Sequence, residues 1–189
     1  AVFFAFAEAQ HYFINDRSVS LVQLYQNIAT SNSKFIAQLQ SSNQFWFEIE
    51  AIFKTNYQTV FYQYFKSIRL LELNAETRVT IKSFCQETIS KSYHTHFSSF
   101  PESWKFNKTL FQTELSTRCA SRIITMRRNE TKKAQLLCDE DISKNLLTGF
   151  KESWYYYLRE LLNNPQENNV DSESYSVAYY FIRMNCYSS

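Results

Sequence analysis

The sequence predicts an all-α fold: a disulfide-pinned helical bundle of about six to seven helices with an internal duplication. Three observations lead to this prediction. The chain has one Gly and two Pro among 189 residues, which leaves few positions for hairpin turns or helix breaks. Its apolar residues recur at steps of three and four, and its cysteines lie in sequence words that occur twice.

The first part of the chain carries two long amphipathic patterns. Val22, Tyr25 and Phe35 share one helical face, which predicts a helix over about residues 16–41. A wider apolar stripe follows and predicts a well buried second helix over about residues 44–71.

Helix-capping residues organise the middle of the chain. Asn74 is suited to cap a third helix that runs towards Phe97. A fourth helix is predicted from Leu110 to Met126. A fifth helix is predicted to start after Asn129, and one continuous helix across this junction is the alternative.

The last part of the chain is predicted to hold two more helices. Gly149 precedes a helix that contains Trp154. The Asn-rich segment 163–174 is predicted as a loop, and a final helix follows around Val177. Residues 10–189 are therefore expected to form a single helical domain.

Charge and composition exclude several function classes. The 20 basic and 18 acidic residues are too balanced for the broad basic surface that nucleic-acid binding requires. One glycine cannot build a phosphate-binding loop. No apolar run reaches the length of a membrane span, so no membrane association is expected. No cofactor is predicted.

Two features indicate a secreted protein. Residues 1–9 pair an apolar run with small residues in A-x-A spacing, which resembles the end of a signal peptide. The alternative is an apolar first turn that packs on the core. Asn107 and Asn129 each begin a glycosylation sequon.

Two segments repeat the same words in the same order. CxExISK starts at Cys85 and at Cys138, and FxESW ends at Trp104 and at Trp154. We interpret these as repeat units over about residues 74–126 and 129–189 that pack against each other. The alternative is that helical proteins reuse similar words. Four residues are expected to anchor the two cores: Ile89, Trp104, Ile142 and Trp154.

The duplication predicts how the cysteines pair. A unit that once folded alone would close its own bridge, which gives Cys85–Cys119 and Cys138–Cys186. Such bridges form in oxidising compartments. The rival pairing joins Cys119 to Cys138 across a turn at Asn129.

No residue pattern indicates catalysis, so the chain is not expected to be an enzyme. HExxH and GxSxG words are absent from the sequence. His94 and His96 have no further ligand nearby, and they are expected to be surface residues. The sequence offers instead a candidate interaction surface, made of aromatic and basic residues: Tyr155, Tyr156, Arg127, Arg128, Lys132 and Lys133. The alternatives are that a neighbouring helix covers the tyrosines and that the basic cluster is a solvated turn.

Two tandem units, each with a cysteine, a central aromatic and a second cysteine, resemble the bicycle proteins of gall-forming aphids. The units here are Cys85, Tyr93 and Cys119, and then Cys138, one of the tyrosines at 155–157, and Cys186. The resemblance covers about residues 74–189. It implies a secreted salivary effector that an insect delivers into plant tissue and that acts by binding an unknown host protein. The alternative function is a secreted carrier that encloses a small apolar ligand among its aromatic helices.

Overall fold

The computed structural model describes residues 18–97 and 107–186, without the side chains of His94, Asn185 and Cys186. These residues are all-α, as predicted, and no strand occurs among them. Seven α-helices follow in chain order within these ranges: α1 (Val19–Ala29), α2 (Ser33–Ile52), α3 (Gln58–Ile68), α4 (Ala75–His96), α5 (Lys108–Lys133), α6 (Asp139–Asn163) and α7 (Ser172–Cys186). A π-helical turn, Phe53–Tyr57, joins α2 to α3, so these form one continuous helical run.

The first break between helices lies earlier in the chain than predicted. The helix expected over about residues 16–41 is divided at Ser31, whose φ of 48° is left-handed. Asn32 then caps α2, because its side chain accepts hydrogen bonds from the backbone N–H groups of Lys34 and Phe35. The break is therefore set by a local cap, and α2 takes over residues that the apolar pattern had assigned to the first helix.

Two later helix boundaries test the capping predictions. Asn74 caps α4 through a hydrogen bond from the backbone N–H of Thr77, which confirms the predicted third helix. The fifth helix does not start after Asn129, because α5 continues to Lys133 and ends at Ala134, which has a left-handed φ of 50°. Cys138 is the N-cap of α6, and three acidic residues in the first turn of α6 suit the positive end of the helix dipole.

Helix α6 is the centre of the bundle. It packs against α2, α3, α5 and α7, while α4 packs against α5, and α1 packs against α7. The core is rich in aromatic rings that touch one another. Phe45 contacts the rings of Phe111 and Trp154, and Phe150 contacts those of Phe53 and Tyr57. Burial of these large rings supplies much of the stabilising free energy.

The repeated words occupy different local structures. Cys85 lies in the middle of α4, whereas the matching Cys138 only caps α6. The second FxESW word is inside α6, while Phe100 and Trp104 of the first word lie outside the described residues. Ile89 and Ile142, the matching isoleucines, are both fully buried. The internal duplication is therefore not confirmed.

The predicted disulfide bridges are not confirmed either. Cys85, Cys119 and Cys138 are free thiols. Cys85 and Cys119 are both buried between α4 and α5, whereas Cys138 is exposed. The side chain of Cys186 and residues 1–9 lie outside the described part of the chain. None of the helices within that part is both long enough and apolar enough to cross a membrane.

Candidate functional site

An open groove of about 640 Å³ lies on the surface between α4 and α5. Helix α4 contributes Arg78, Lys82, Gln86 and Ser90, which are spaced by four residues and therefore lie on one helical face. Most of the α5 wall consists of hydroxyl residues: Thr109, Thr113, Ser116, Thr117, Ser121 and Thr125. The groove therefore has mainly polar walls, and the apolar Ala120 and Ile124 also line it.

The groove follows from the sequence of the two helices. They run in opposite directions, since Gln112 near the start of α5 bonds Ser90 near the end of α4, at 2.7 Å between side-chain N and O. Their apolar faces meet beneath the groove and are fully buried at Ile89, Leu115 and Ile123. The next positions outward on α5 are short side chains, with the buried Ala120 at the floor. Short side chains leave open the space that long ones would fill.

Three cations lie towards one end of the groove: Arg78, Lys82 and Arg128. No carboxylate is among the described residues that line the groove. Within residues 18–97 and 107–186, none of these three cations forms an ion pair. This end of the groove therefore carries positive charge that the fold itself does not neutralise.

A buried ion cluster lies at the C-terminal end of α5. Glu130, which is 4% exposed, accepts hydrogen bonds from Arg69 Nε at 2.9 Å and from Arg127 Nη1 at 3.3 Å. It also accepts one from the backbone N–H of Leu137 at 2.9 Å. Burial alone would raise the pKa of Glu130, but these donors hold that pKa below its usual value. The carboxylate therefore stays ionised inside the protein.

The same cluster fixes the two loops at this end. Arg69 Nη2 donates to the carbonyl of Leu137 at 2.6 Å, and Arg127 Nη2 donates to the carbonyl of Leu71 at 2.7 Å. Leu70 and Leu136, which lie next to these carbonyls in the chain, are 93% and 63% exposed. The ion cluster thus fixes the backbone of both loops next to two exposed leucines, and it lies at the end of α5 that carries Arg128.

The structure separates the residues of the predicted interaction surface. Arg128, Lys132 and Lys133 are exposed, and Arg128 lines the groove. Arg127 is only 7% exposed, because its guanidinium group is engaged by Glu130 and Leu71. Its charge belongs to the buried cluster and not to a basic surface.

The tyrosines of the predicted surface lie elsewhere. Tyr155 and Tyr156 are half-buried on α6, and their rings meet edge to face. The guanidinium carbon of Arg118 lies 3.5 Å from the centre of the Tyr156 ring, which is a close cation–π contact. Arg118 and Arg128 are about 15 Å apart along α5 at the usual helical rise. The tyrosines and the basic groove end are therefore separate features.

The other predicted site residues lie in the core, at a helix cap or on the surface. Trp154 is buried, and its ring stacks on that of Tyr157. Asn107 caps α5 by accepting a hydrogen bond from the backbone N–H of Leu110, and both Asn107 and Asn129 are exposed. Both sequons are accessible to solvent. Within the described residues, no group of three or more His, Cys, Asp or Glu could hold a metal ion.

The buried thiols are unsuited to act as nucleophiles. Burial raises the pKa of Cys85 to about 12 and raises that of Cys119 well above its usual value. At neutral pH both remain protonated thiols, and the thiolate is the nucleophilic form.

Sequence reasoning missed the groove residues on α4. Arg78, Lys82, Gln86 and Ser90 carry a readable signal, which is a polar stripe at four-residue spacing without a carboxylate. A helix alone does not reveal a groove, because the opposite wall comes from α5. Only the packing of the two helices brings Arg128 to the same end as Arg78 and Lys82.

Comparison with protein-family models, with curated proteins and with solved structures gives no significant match to this chain.

Proposed function

We propose that this protein is a secreted, non-enzymatic binding protein that acts on a host molecule through the groove between α4 and α5. The resemblance to aphid bicycle proteins supports secretion into plant tissue and a host protein as the target. The single observation that carries the binding role is the groove itself. It is open to solvent, and its three cations have no ion-pair partner in the described residues.

The exposure of the groove walls favours a role in binding over a role in stabilising the core. Lys82, Gln86, Thr117 and Ser121 are exposed, so their side chains contribute little to the buried core. A partner that enters the groove would reach polar groups on both helices at once. Polar groups that converge on a concave site fix the orientation of a bound partner and give specificity.

The aromatic residues support this role over that of a carrier. A carrier would use its aromatic helices to enclose an apolar ligand. In this chain the buried rings of α2, α5 and α6 contact one another, as Phe45 does with Phe111 and Trp154 at centroid distances of 5.5 and 4.8 Å. Ring-to-ring packing therefore accounts for these aromatic residues without a ligand.

The disulfide framework is part of the secretion proposal. Oxidation in a secretory compartment is proposed to join Cys85 on α4 to Cys119 on α5, two helices that pack against each other. The second proposed bridge joins Cys138 to Cys186. Non-reducing peptide mapping by mass spectrometry of protein made in an insect secretory pathway should find both bridges. A Cys119–Cys138 bridge, or thiols that stay free in that material, would contradict this part of the proposal.

The binding role is tested by filling the groove without changing its charge. Thr117→Trp with Ser121→Trp places two large side chains at exposed positions of the α5 wall. Thr59→Trp with Thr148→Trp is the matched control, because these exposed hydroxyl residues lie on α3 and α6. Each protein is immobilised and exposed to a plant-tissue extract, and the retained proteins are quantified by mass spectrometry.

We expect a defined set of plant proteins to be retained by the wild type and by the control, and to be lost by the groove-filled variant. Circular dichroism and thermal unfolding verify that both variants fold. If the groove-filled variant retains the same proteins, the groove is not the binding surface. If the wild type retains nothing above a blank resin, the binding role itself is wrong.

A further inference from the structure

We propose that the groove binds an extended, acidic segment of a partner polypeptide, with the carboxylates of that segment against Arg78, Lys82 and Arg128. This inference rests on the proposed binding function and adds the chemistry of the partner.

The charge distribution indicates an anionic partner. Other basic residues near the core have an internal carboxylate, as Arg122 has in Glu152 and Lys151 has in Glu50. The groove cations have none among the described residues, and no carboxylate lies among those that line the groove. Bringing carboxylates to this end would form charge-assisted hydrogen bonds with groups that have no ion-pair partner in the described part of the chain.

The rest of the groove carries no charged side chain among the described lining residues, which indicates an uncharged partner surface that can form hydrogen bonds. Beyond the cationic end, the walls present hydroxyl groups and the side-chain amides of Gln86 and Gln112. Hydroxyl and amide groups both donate and accept hydrogen bonds. A peptide backbone needs such mixed partners, because each residue carries one N–H donor and one C=O acceptor. A partner that is anionic along its whole length would find cations at one end alone.

The lining also argues against a nucleic acid. The described groove residues include no aromatic side chain, whereas proteins that hold single strands stack bases on aromatic rings. The net charge of +2 gives no broad basic surface for a duplex backbone. The phosphate polymer is therefore the less favoured ligand, and it becomes an outcome of the test.

The length of the groove sets the length of the segment. From Arg78 to Ser90 the α4 wall extends about 18 Å at the helical rise. An extended chain advances about 3.3 Å per residue. The wall therefore spans about six residues of partner. The acidic residues should lie at the end of the segment that faces Arg78, because the Ser90 end of the described α4 wall carries no cation.

The test measures peptide binding by fluorescence anisotropy on the full chain. The probe is a fluorescein-labelled ten-residue peptide with three consecutive glutamates at one end and serine, asparagine and glycine in the remainder. A second peptide has glutamine in place of each glutamate. A twelve-nucleotide oligothymidylate with the same label reports on the binding of polyanions in general.

Two triple variants separate local charge from net charge. The first is Arg78→Gln, Lys82→Gln and Arg128→Gln, which removes the groove cations. The control is Lys54→Gln, Lys144→Gln and Arg159→Gln, which removes the same charge from exposed positions outside the groove. Thermal unfolding verifies that both are folded under the assay conditions.

We expect the glutamate peptide to bind at least tenfold more tightly than the glutamine peptide. The groove variant should lose at least tenfold in affinity, and the control should stay within twofold of the wild type. Equal binding of the two peptides, or equal loss in both variants, would overturn the inference. Oligothymidylate that binds as tightly as the glutamate peptide would overturn it too, in favour of general polyanion binding.

This experiment and the groove-filling experiment fail in different ways. If groove filling removes plant partners while the acidic peptide does not bind, the groove binds a partner of another chemistry and only this inference is wrong. If groove filling removes no partner, the proposed function fails whatever the peptide does.

Discussion

The basic residues on the two sides of helix α5 differ in whether a carboxylate lies next to them. On the side that faces α6, Arg118 pairs with Glu114 at 2.9 Å, and Arg122 Nε donates to Glu152 at 2.8 Å. On the side that faces the groove, Arg128 joins Arg78 and Lys82 without a carboxylate among the described lining residues. One helix thus carries both neutralised and unneutralised cations.

The contrast indicates which cations serve the fold. A cation in a packed interface needs an anion, because desolvation of an unpaired charge costs several kcal/mol. A cation at an open groove keeps its water and costs the fold little. Unpaired charge at an open site is therefore available for a partner. We test this contrast with predictions for both regions. A change in the buried ion cluster should have the largest effect on stability, and a change in the groove should have the smallest.

The first prediction concerns Glu130 at the buried end of α5. Glu130→Gln removes the anion that contacts both Arg69 and Arg127, and it leaves two nearly buried cations without that carboxylate. Loss of one partner from a buried ion cluster costs about 3 to 5 kcal/mol. We expect the free energy of unfolding, measured with urea, to fall by about that amount. A loss below about 1 kcal/mol would mean that the cluster is hydrated and does not stabilise the loops.

The pH dependence of stability provides the control for this prediction. The pKa of Glu130 is below its usual value in the folded protein, so the cluster stabilises fully above the unfolded pKa of about 4.5. That contribution is lost as pH falls through the folded pKa. The wild type should lose stability below about pH 4.5, and Glu130→Gln should lose less over the same range. The stability of Glu130→Gln should still fall somewhat at low pH, because hydrogen bonds from Lys151 and Lys54 lower the pKa of Glu50 to about 2.

The second prediction concerns the interface beneath the groove. In the chemically reduced protein, iodoacetamide should label Cys138 at least about a hundredfold faster than Cys85 or Cys119. Cys138 is exposed, while the other two thiols are buried and the pKa of Cys85 is raised to about 12 by burial. Timed labelling with peptide mass spectrometry gives each rate. Similar rates for Cys85 and Cys138 in folded protein would show that α4 separates readily from α5.

The third prediction concerns the packed side of α5. A Cβ atom at Gly149 would lie 3.1 Å from Arg122 Cγ and 3.4 Å from the Arg118 carbonyl oxygen. Gly149→Val should therefore destabilise the protein by about 1 to 3 kcal/mol through overpacking. Gly149→Ala should be nearly neutral, because its better helix propensity, about 1 kcal/mol, offsets the tight contact. Urea unfolding compares the two variants, and a Gly149→Val variant as stable as the wild type would show that α5 and α6 are not closely packed.

Much of the fold could be predicted because it depends on apolar spacing. The stripe through Ile142, Leu146 and Phe150 specifies the buried face of α6, and Asn74 specifies the start of α4 by its capping chemistry. The turn at Ser31 could not be read from spacing, because the apolar pattern continues across it and the break depends on a left-handed residue followed by the Asn32 cap.

The repeated words show where sequence similarity stops being informative. CxExISK lies within α4 in one copy and extends from the cap of α6 in the other. Helical position depends on where the neighbouring caps and turns fall, and Ala134 ends α5 just before the second copy. The groove was unpredictable for a related reason, since its two walls come from helices whose lining residues are about 20 to 50 positions apart in the chain. The groove depends on how α4 and α5 pack against each other, and the residue pattern of one helix alone does not specify that packing.

The last prediction concerns the stability of the groove variant. Arg78→Gln, Lys82→Gln and Arg128→Gln together should change the free energy of unfolding by less than about 0.5 kcal/mol, because surface substitutions without packed partners are usually that mild. A small gain is expected at low salt, since three like charges towards one end of the groove repel one another, and added salt should remove that gain by screening. Urea unfolding at low and high salt measures both. A loss above about 1 kcal/mol would show that these cations stabilise the fold, and the contrast between the two sides of α5 would then have no functional meaning.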